Sequence, residues 1–351
     1  MSILVINSGS TSLKYKLFAD DESEIKQGIF KNISNHSTAI KSTLRAIGDL
    51  RDIKAVGHRV VHGGDKFIGS VILTEKILAD LENFNELAPL HNPFNLAGIK
   101  ATWDYLPDLP QVAVFDTAFF SSLPKISRVY AIPWQFAETY KIYRYGFHGL
   151  SHQFVLEETA KKLGKRTNKV NLISCHLGGG WSITAIKAGQ PIDTSMGWTP
   201  LEGLVMMTRC GDLDPGLVIK LFKILPGESS TEKISQLNDL LNNQSGIKGL
   251  TGLTDWQEVI RRVTLGDEPA KLAFDLAINR LVKYLGAYWL LLETKVDALV
   301  FTGAIGSGNP YTRNQVINKI KCLGKIPCLA IKTDEELMIA REVGKICLSV
   351  Y

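Results

Sequence analysis

What the chain lacks narrows its class first. Its 351 residues include five cysteines, at 175, 210, 322, 328 and 347, an odd number with no C-x-x-C pair. That argues against a disulfide scaffold or a thiolate metal site and fits the reduced thiols of a cytoplasmic protein. No apolar run approaches the ~20 residues of a membrane span; the best, Leu285 to Leu292, is far too short. The N-terminus reaches Asn7 after a few apolar residues and without a basic start, so no export leader is expected. Low-complexity segments, basic tails and arginine-rich runs are missing too. The 40 basic and 35 acidic residues are interspersed and leave a net charge of +5. That balance argues against nucleic acid and membrane as partners, and it is compatible with a mildly positive cleft for an anionic substrate.

What is present is an ordinary globular composition, 45% hydrophobic and 21% charged, on a chain long enough for two domains. The stretch Asn171 to Ile186 passes from an apolar run through His176 into Gly178, Gly179 and Gly180, then into a second apolar run. It reads as strand, glycine turn, strand. Without Cβ atoms such a turn can take left-handed dihedrals and bring N–H groups close to a bound anion; a loose hairpin is the plainer alternative. Ile3 to Phe18 repeats the layout, with a turn of Asn7, Ser8, Gly9, Ser10, Thr11 and Ser12 and with Lys14 just beyond, where a cation could reach a phosphate. A third strand ending in glycines spans Ala298 to Asn309. Similar hairpins far apart predict two similar halves with a cleft between them, each offering a turn to one phosphate chain.

Other residues stand out along the chain. Arg59 sits in an apolar run that ends at Gly63 and Gly64. A guanidinium there needs a partner, so it is either half of a buried ion pair or a fork for carboxylate or phosphate. Leu87 to Asn95 punctuates a loop before a helix, and Gln111 to Ala118 reads as a buried strand ending on Asp116. Strand ends of that kind hold ligands in open α/β sheets, although a helix cap is the simpler role. His148 lies between glycines ahead of a helix opened by Ser151, and Arg209, Asp212 and Asp214 crowd one loop. The spacing predicts a long helix over 272–292, opened by Asp267 and Pro269, whose apolar face is core first and a subunit contact second. Thr333-Asp-Glu-Glu has the form of a capping box opening a last helix.

The blocks NSGSTSLK, GHRVVHGG, LAPLHNP, VAVFDTAF, YGFHGLSH, DTSMGWTPLEGL, TRCGDLDP, FTGAIG and TDEELMIARE occur in that order over nearly the whole chain. Together they resemble the acetokinase family, the acetate, propionate and butyrate kinases of the actin-like superfamily. The resemblance implies an α/β fold of duplicated actin-like (ribonuclease H-like) domains with a cleft between them. One domain would take residues 1–117 and 335–351, on the acyl and phosphate side, with the last helix returning to it. The other would take 118–334, on the nucleotide side. The implied reaction is reversible in-line transfer of the γ-phosphoryl group of ATP to acetate or propionate, with Mg²⁺, for which Mn²⁺ may substitute, in a cytoplasmic homodimer. By motif match Asn7 and Glu335 would serve the metal, and Ser10, Ser12 and Lys14 the phosphates. Arg59 would bind the carboxylate, while Asp116, His148 and Arg209 would be catalytic. His176, Leu177, Gly178, Gly179, Gly180, Asp255, Trp256, Gln257, Ala304, Ile305, Gly306, Ser307 and Gly308 would hold the nucleotide.

The chain also departs from the family's pattern. Phe120 stands where histidine is usual, Gly179 where the turn usually has asparagine, Gln257 where arginine is usual, and Ser307 where glutamate is usual. The chain is shorter than the family's norm as well. Most changes fall on the nucleotide side, so the alternatives are a kinase of another short acid or with another phosphoryl donor, or a non-catalytic homologue that binds nucleotide or acyl phosphate.

Overall fold

Two sheets with the same plan organise the chain. A computed structural model describes residues 2–89 and 91–348; Leu90, inside the LAPLHNP block, lies outside the described residues. The chain divides into two compact units. The first holds the residues up to Ser121, Phe147–Phe154 and the chain from Asp334 onward; the second holds Ser122–Gly146 and Val155–Thr333. Phe147–Phe154, expected with the second domain, sits with the first because Gly149 N donates to Asp116 O at 3.1 Å.

In the first unit the strands are β1 (Ser2–Ser8), β2 (Ser12–Ala19), β3 (Glu24–Lys31), β4 (Ile53–Val60), β5 (Val71–Ile72) and β6 (Gln111–Phe115). They pair in the order β3-β2-β1-β4-β6-β5. β1, β2 and β3 form an antiparallel meander, and β4 and β6 continue the sheet in parallel. Alternation on β2 turns Leu13, Tyr15 and Leu17 onto Ile40 and Leu44 of the helix His36–Ile47. Each such side chain, once fully buried, contributes roughly 2 kcal/mol. On β4 a glycine is needed for a close approach: a Cβ at Gly57 would lie 2.7 Å from both Ile339 and Val343 of the closing helix Glu335–Leu348.

The second unit repeats the plan with β7 (Leu172–Leu177), β8 (Trp181–Lys187), β9 (Gln190–Thr194), β10 (Ala298–Thr302) and β11 (Cys328–Ala330), in the order β11-β10-β7-β8-β9. Again three strands form a meander and two more run parallel to its first strand. β7 is therefore the counterpart of β1, and β10 of β4. The glycines after β10, expected as a turn, form a short helix, Gly303–Gly308.

The long helix runs Glu268–Leu291, capped by Asp267, whose side chain accepts from Ala270 N, with proline in its first turn. Of the face read from spacing, Phe274, Ile278, Leu281, Leu285 and Leu292 are buried core and Trp289 is half-buried. No helix among the described residues is long and apolar enough to cross a membrane.

Candidate active site

In the first unit the carboxyl ends of three neighbouring parallel strands carry chemistry: Asn7 on β1, Arg59 on β4 and Asp116 just past β6. Open α/β sheets place ligands at such ends. Arg59 makes a two-pronged contact with Asp116, Nε to Oδ1 at 3.1 Å and Nη2 to Oδ2 at 2.6 Å. Its Nη1 lies 3.3 Å from Glu335 Oε2. Burial opposes the guanidinium's charge, but Asp116 and Glu335 outweigh it and raise its pKa.

The closing helix brings the other acids. Its N-cap is Asp334, whose Oδ1 accepts from Leu337 N at 2.9 Å, rather than Thr333. Lys16 Nζ holds the other carboxylate oxygen of Asp334 at 2.6 Å. Glu336 accepts from Lys14 Nζ at 2.7 Å and from Asn7 Nδ2 at 3.2 Å. Burial raises the pKa of Glu335, Arg59 opposes that, and Asp116 and Glu336 add to it. Three carboxylates, Asp116, Glu335 and Glu336, thus share two cations, Arg59 and Lys14, which leaves one negative charge in excess. Asn7 supplies an amide oxygen beside them. This oxygen-only donor set fits a hard cation that takes one or two carboxylates and completes its shell with water and phosphate, as Mg²⁺ does. Among the described residues no group of three or more His, Cys, Asp or Glu is arranged for a metal.

His148 joins the same cluster through the backbone. It takes φ +59°, a conformation uncommon for histidine, just after Gly146 at φ +73°. A Cβ at Gly149 would sit 2.0 Å from Asp116 O, so only glycine lets these segments meet. The helix opens at Gly149, two residues before Ser151. Lys14, expected on a phosphate, is engaged by Glu336, while Ser10 is exposed at the turn and Ser12 O accepts from Gly9 N at 2.8 Å. Phe120, in the place of the family's histidine, is buried with its ring edge-on to His152.

In the second unit the glycine turn joins β7 to β8, with Gly178 N donating to Gly180 O at 3.0 Å. Glycines make left-handed dihedrals available there, yet none of the three is among the residues with positive φ. What glycine gives this turn is an open face, since a Cβ at Gly179 would meet nothing within 4 Å. Trp181 Nε1 donates to Gly178 O at 2.9 Å, and its ring lies against Trp256. Trp256 itself is turned into the core and donates to Thr312, and Leu177, fully buried, is the cross-strand partner of Trp181 in the sheet. Asp255 caps the helix Trp256–Thr264, and Gln257 accepts from Asn309 Nδ2 at 3.3 Å. The helix carrying Ala304, Ile305, Ser307 and Gly308 packs on the end of β7: a Cβ on Gly306 would be 3.4 Å from Leu177 Cβ.

Arg209 stands on a tight turn whose Met206 N donates to Arg209 O at 3.1 Å, and Met207 N donates to Gly179 O at 3.3 Å. The turn therefore lies beside the glycines. Among the described residues the Arg209 guanidinium reaches only Pro200 O at 3.4 Å and Met206 Sδ at 3.8 Å. Among the described residues it has no acidic partner, and burial lowers its pKa. Arginine stays protonated nonetheless, so this charge awaits an anion.

Some groups escaped the sequence. Arg144 holds the carbonyls of Thr194, Ser195 and Met196 and pairs with Glu202 at 2.6 Å, and Tyr130 donates to the same carboxylate. These contacts join residues 50 or more apart, which spacing cannot reveal.

A family model described as the acetokinase family matches residues 26–349. An acetate kinase of Coprothermobacter proteolyticus is 42% identical over 401 residues, covering 99% of this chain and 99% of the relative. That alignment is longer than the chain, so the missing positions are internal gaps. Among solved structures, Porphyromonas gingivalis acetate kinase aligns with a TM-score of 0.90 at 34% identity, over 99% of both chains. A propionate kinase from Francisella tularensis aligns with 0.91 at 37%, over 97% of this chain and 98% of that one.

Proposed function

The chain belongs to the acetokinase family, and from that membership we propose the parts its residues play. It is a phosphotransferase with a carboxyl group as acceptor, taking ATP and acetate reversibly to ADP and acetyl phosphate. In the in-line reading, an acetate oxygen forms a bond to the γ-phosphorus. The bond to the β,γ-bridging oxygen breaks, and its electron pair leaves with ADP. Such a transfer asks the protein for position and charge rather than covalent chemistry.

The observation that carries the reading is the contrast between two arginines. Arg59 is locked to Asp116 and Glu335, a fixed donor edge for the small carboxylate with Asp116 as its anchor. Arg209 is half-buried without a counter-ion, prepared for the charge on the equatorial phosphoryl oxygens. His148, held in a strained conformation next to Asp116, adds a donor to the same oxygens. Asn7 and Glu335, with Glu336 beside them, would hold Mg²⁺, which when bound neutralises nucleotide phosphate charge. Ser10 and Ser12 flank that site. His176 and the open turn 178–180 receive the phosphates in the second unit, with Asp255, Gln257 and 304–308 toward the nucleoside and Trp256 packed behind them in the core. Exposed Leu272, Leu276, Leu290 and Leu291 on the long helix support a homodimer. The five cysteines, all unpaired, suit the cytoplasm.

The test is hydroxylamine trapping of acyl phosphate from acetate and from propionate, with ATP, GTP or pyrophosphate and Mg²⁺. Trapped product with ATP and acetate is the expected result. Product with pyrophosphate alone would mean the donor has changed while the chemistry is kept. A folded sample inert with every donor would overturn catalysis in favour of a binding protein.

A further inference from the structure

Arg209 is the group most in need of support, because its own side-chain contacts are too long and weak to orient it. Its aim must come from its backbone. That backbone is a loop from Gly203 to Asp212, and the loop is tied shut at its neck. Asp212 N donates to Gly203 O at 3.0 Å, and Gly203 N returns a bond to Asp212 Oδ1 at 2.7 Å. The long helix Glu268–Leu291 supplies the knot. Arg280 Nη1 reaches Gly203 O at 3.2 Å, Asp212 O at 3.3 Å and Asp212 Oδ2 at 3.2 Å. Tyr284 donates its hydroxyl to the same Oδ2 at 2.9 Å. One guanidinium and one phenol thus hold both strands of the neck.

The loop has little freedom elsewhere. Gly203 takes φ +104° and Gly211 φ +70°, and a Cβ on either would fall 2.5 Å from a backbone oxygen. Farther along, Ser245 N donates to Thr208 O and Ile247 N to Met206 O, each at 3.0 Å. The far side is therefore held by backbone, while at the neck Arg280 and Tyr284 brace the two bonds between Gly203 and Asp212 and fix the Asp212 carboxylate that makes one of them.

We propose that Arg280, acting through Asp212 with help from Tyr284, is a positioning residue that sets the Arg209 guanidinium for phosphoryl transfer. The inference rests on the reading of Arg209 given above. Its energetic signature separates it from a structural role. The Arg280 and Asp212 side chains are 25% and 39% exposed, and a partly exposed pair of this kind contributes little to stability. A displacement of about 1 Å at a catalytic group costs up to ~100-fold in rate. Loss of Arg280 should therefore be felt in turnover while the fold persists.

The experiment is a double-mutant cycle on the whole chain, with hydroxamate accumulated over hours so that weak variants remain measurable. Arg280→Ala should lower kcat by roughly 10- to 100-fold with KM for acetate and ATP changed by no more than about threefold. Tyr284→Phe, which removes only a hydroxyl, should lower kcat less, and Arg280→Lys should recover part of the loss. In an Arg209→Ala background, Arg280→Ala should cost almost nothing further. Multiplying losses in the double variant, or wild-type kcat in a folded Arg280→Ala protein, would overturn the proposal. Normal turnover in Arg209→Ala alone would instead remove the reading of Arg209 on which it stands.

Discussion

Truncation at the two arginine sites of this chain should have opposite consequences for stability, because Arg59 is paired with carboxylates and Arg209, among the described residues, is not. Replacing Asp116, 2% exposed, with alanine strands the Arg59 guanidinium beside Glu335 alone. Breaking such a buried pair costs about 3–5 kcal/mol, so Asp116→Ala should lower the urea midpoint sharply as well as abolish turnover. Arg209→Ala removes contacts that are barely hydrogen bonds, so its unfolding midpoint should stay within about 0.5 kcal/mol of the parent. Its turnover should fall ~100- to 1,000-fold, which parallel urea titration and acyl phosphate assays would check. Histidines supply the pH dependence. Burial pushes His58, whose ring meets Gln111, and His62 down to about 4. Unfolded, they titrate near 6.5, so the unfolded chain binds more protons in between. The stability they contribute is present above pH 6.5 and is lost as pH falls toward 4, by about 2 kcal/mol per histidine at pH 5. Imidazole resonances of the folded protein with midpoints near 6.5 would refute this.

At the scale of elements, the closing helix depends on which residue caps it. Thr333 and Asp334 are both capable, and sequence alone favours the threonine of the box. Asp334 takes the position because Lys16, nearly buried on β2, pairs with its second oxygen. Burial disfavours the Lys16 charge, yet Asp334 keeps its pKa raised. Asp334→Ala removes a cap and leaves that ammonium Glu24 at 3.4 Å as its remaining ion-pair contact, so a loss of about 1–2 kcal/mol is expected. The first turn also carries Glu335 and Glu336. Loosening it should weaken the apparent Mg²⁺ affinity about tenfold, the usual cost of disturbing groups behind a metal ligand. A titration of activity against Mg²⁺ in this variant that overlays the parent's would separate the cap from the site.

At the scale of the molecule, the repeated sheet plan gives each unit a comparable strand end: Asn7 near the end of β1, and His176 near the end of β7 with the glycines just beyond. Binding only to the folded state stabilises it by mass action. ATP with Mg²⁺ at about a hundred times its dissociation constant should therefore add about 2.7 kcal/mol, visible as a higher midpoint in thermal scanning. Acetate without nucleotide, weakly held, should move the midpoint less. An ATP response no larger than that of acetate would count against the assignment of 176–180 to the nucleotide.

The sequence by itself determined the repeat and most of the residues at the strand ends through local signals: an arginine inside an apolar run, an aspartate closing one, glycines after a strand. The class of chemistry came from the ordered blocks that resemble the acetokinase family. Tertiary structure alone decided which charge meets which. Glu336 and Lys14 are 322 residues apart, and their pairing has no trace in spacing. Trp256 looked like part of a nucleotide motif and lies in the core, because Trp181 and Phe274 pack on its ring. The glycine turn keeps ordinary dihedrals, since what its residues supply is empty space rather than an unusual backbone. Nor could the sequence separate Arg59 from Arg209, for the free energy of a buried charge is set by partners that folding alone brings near.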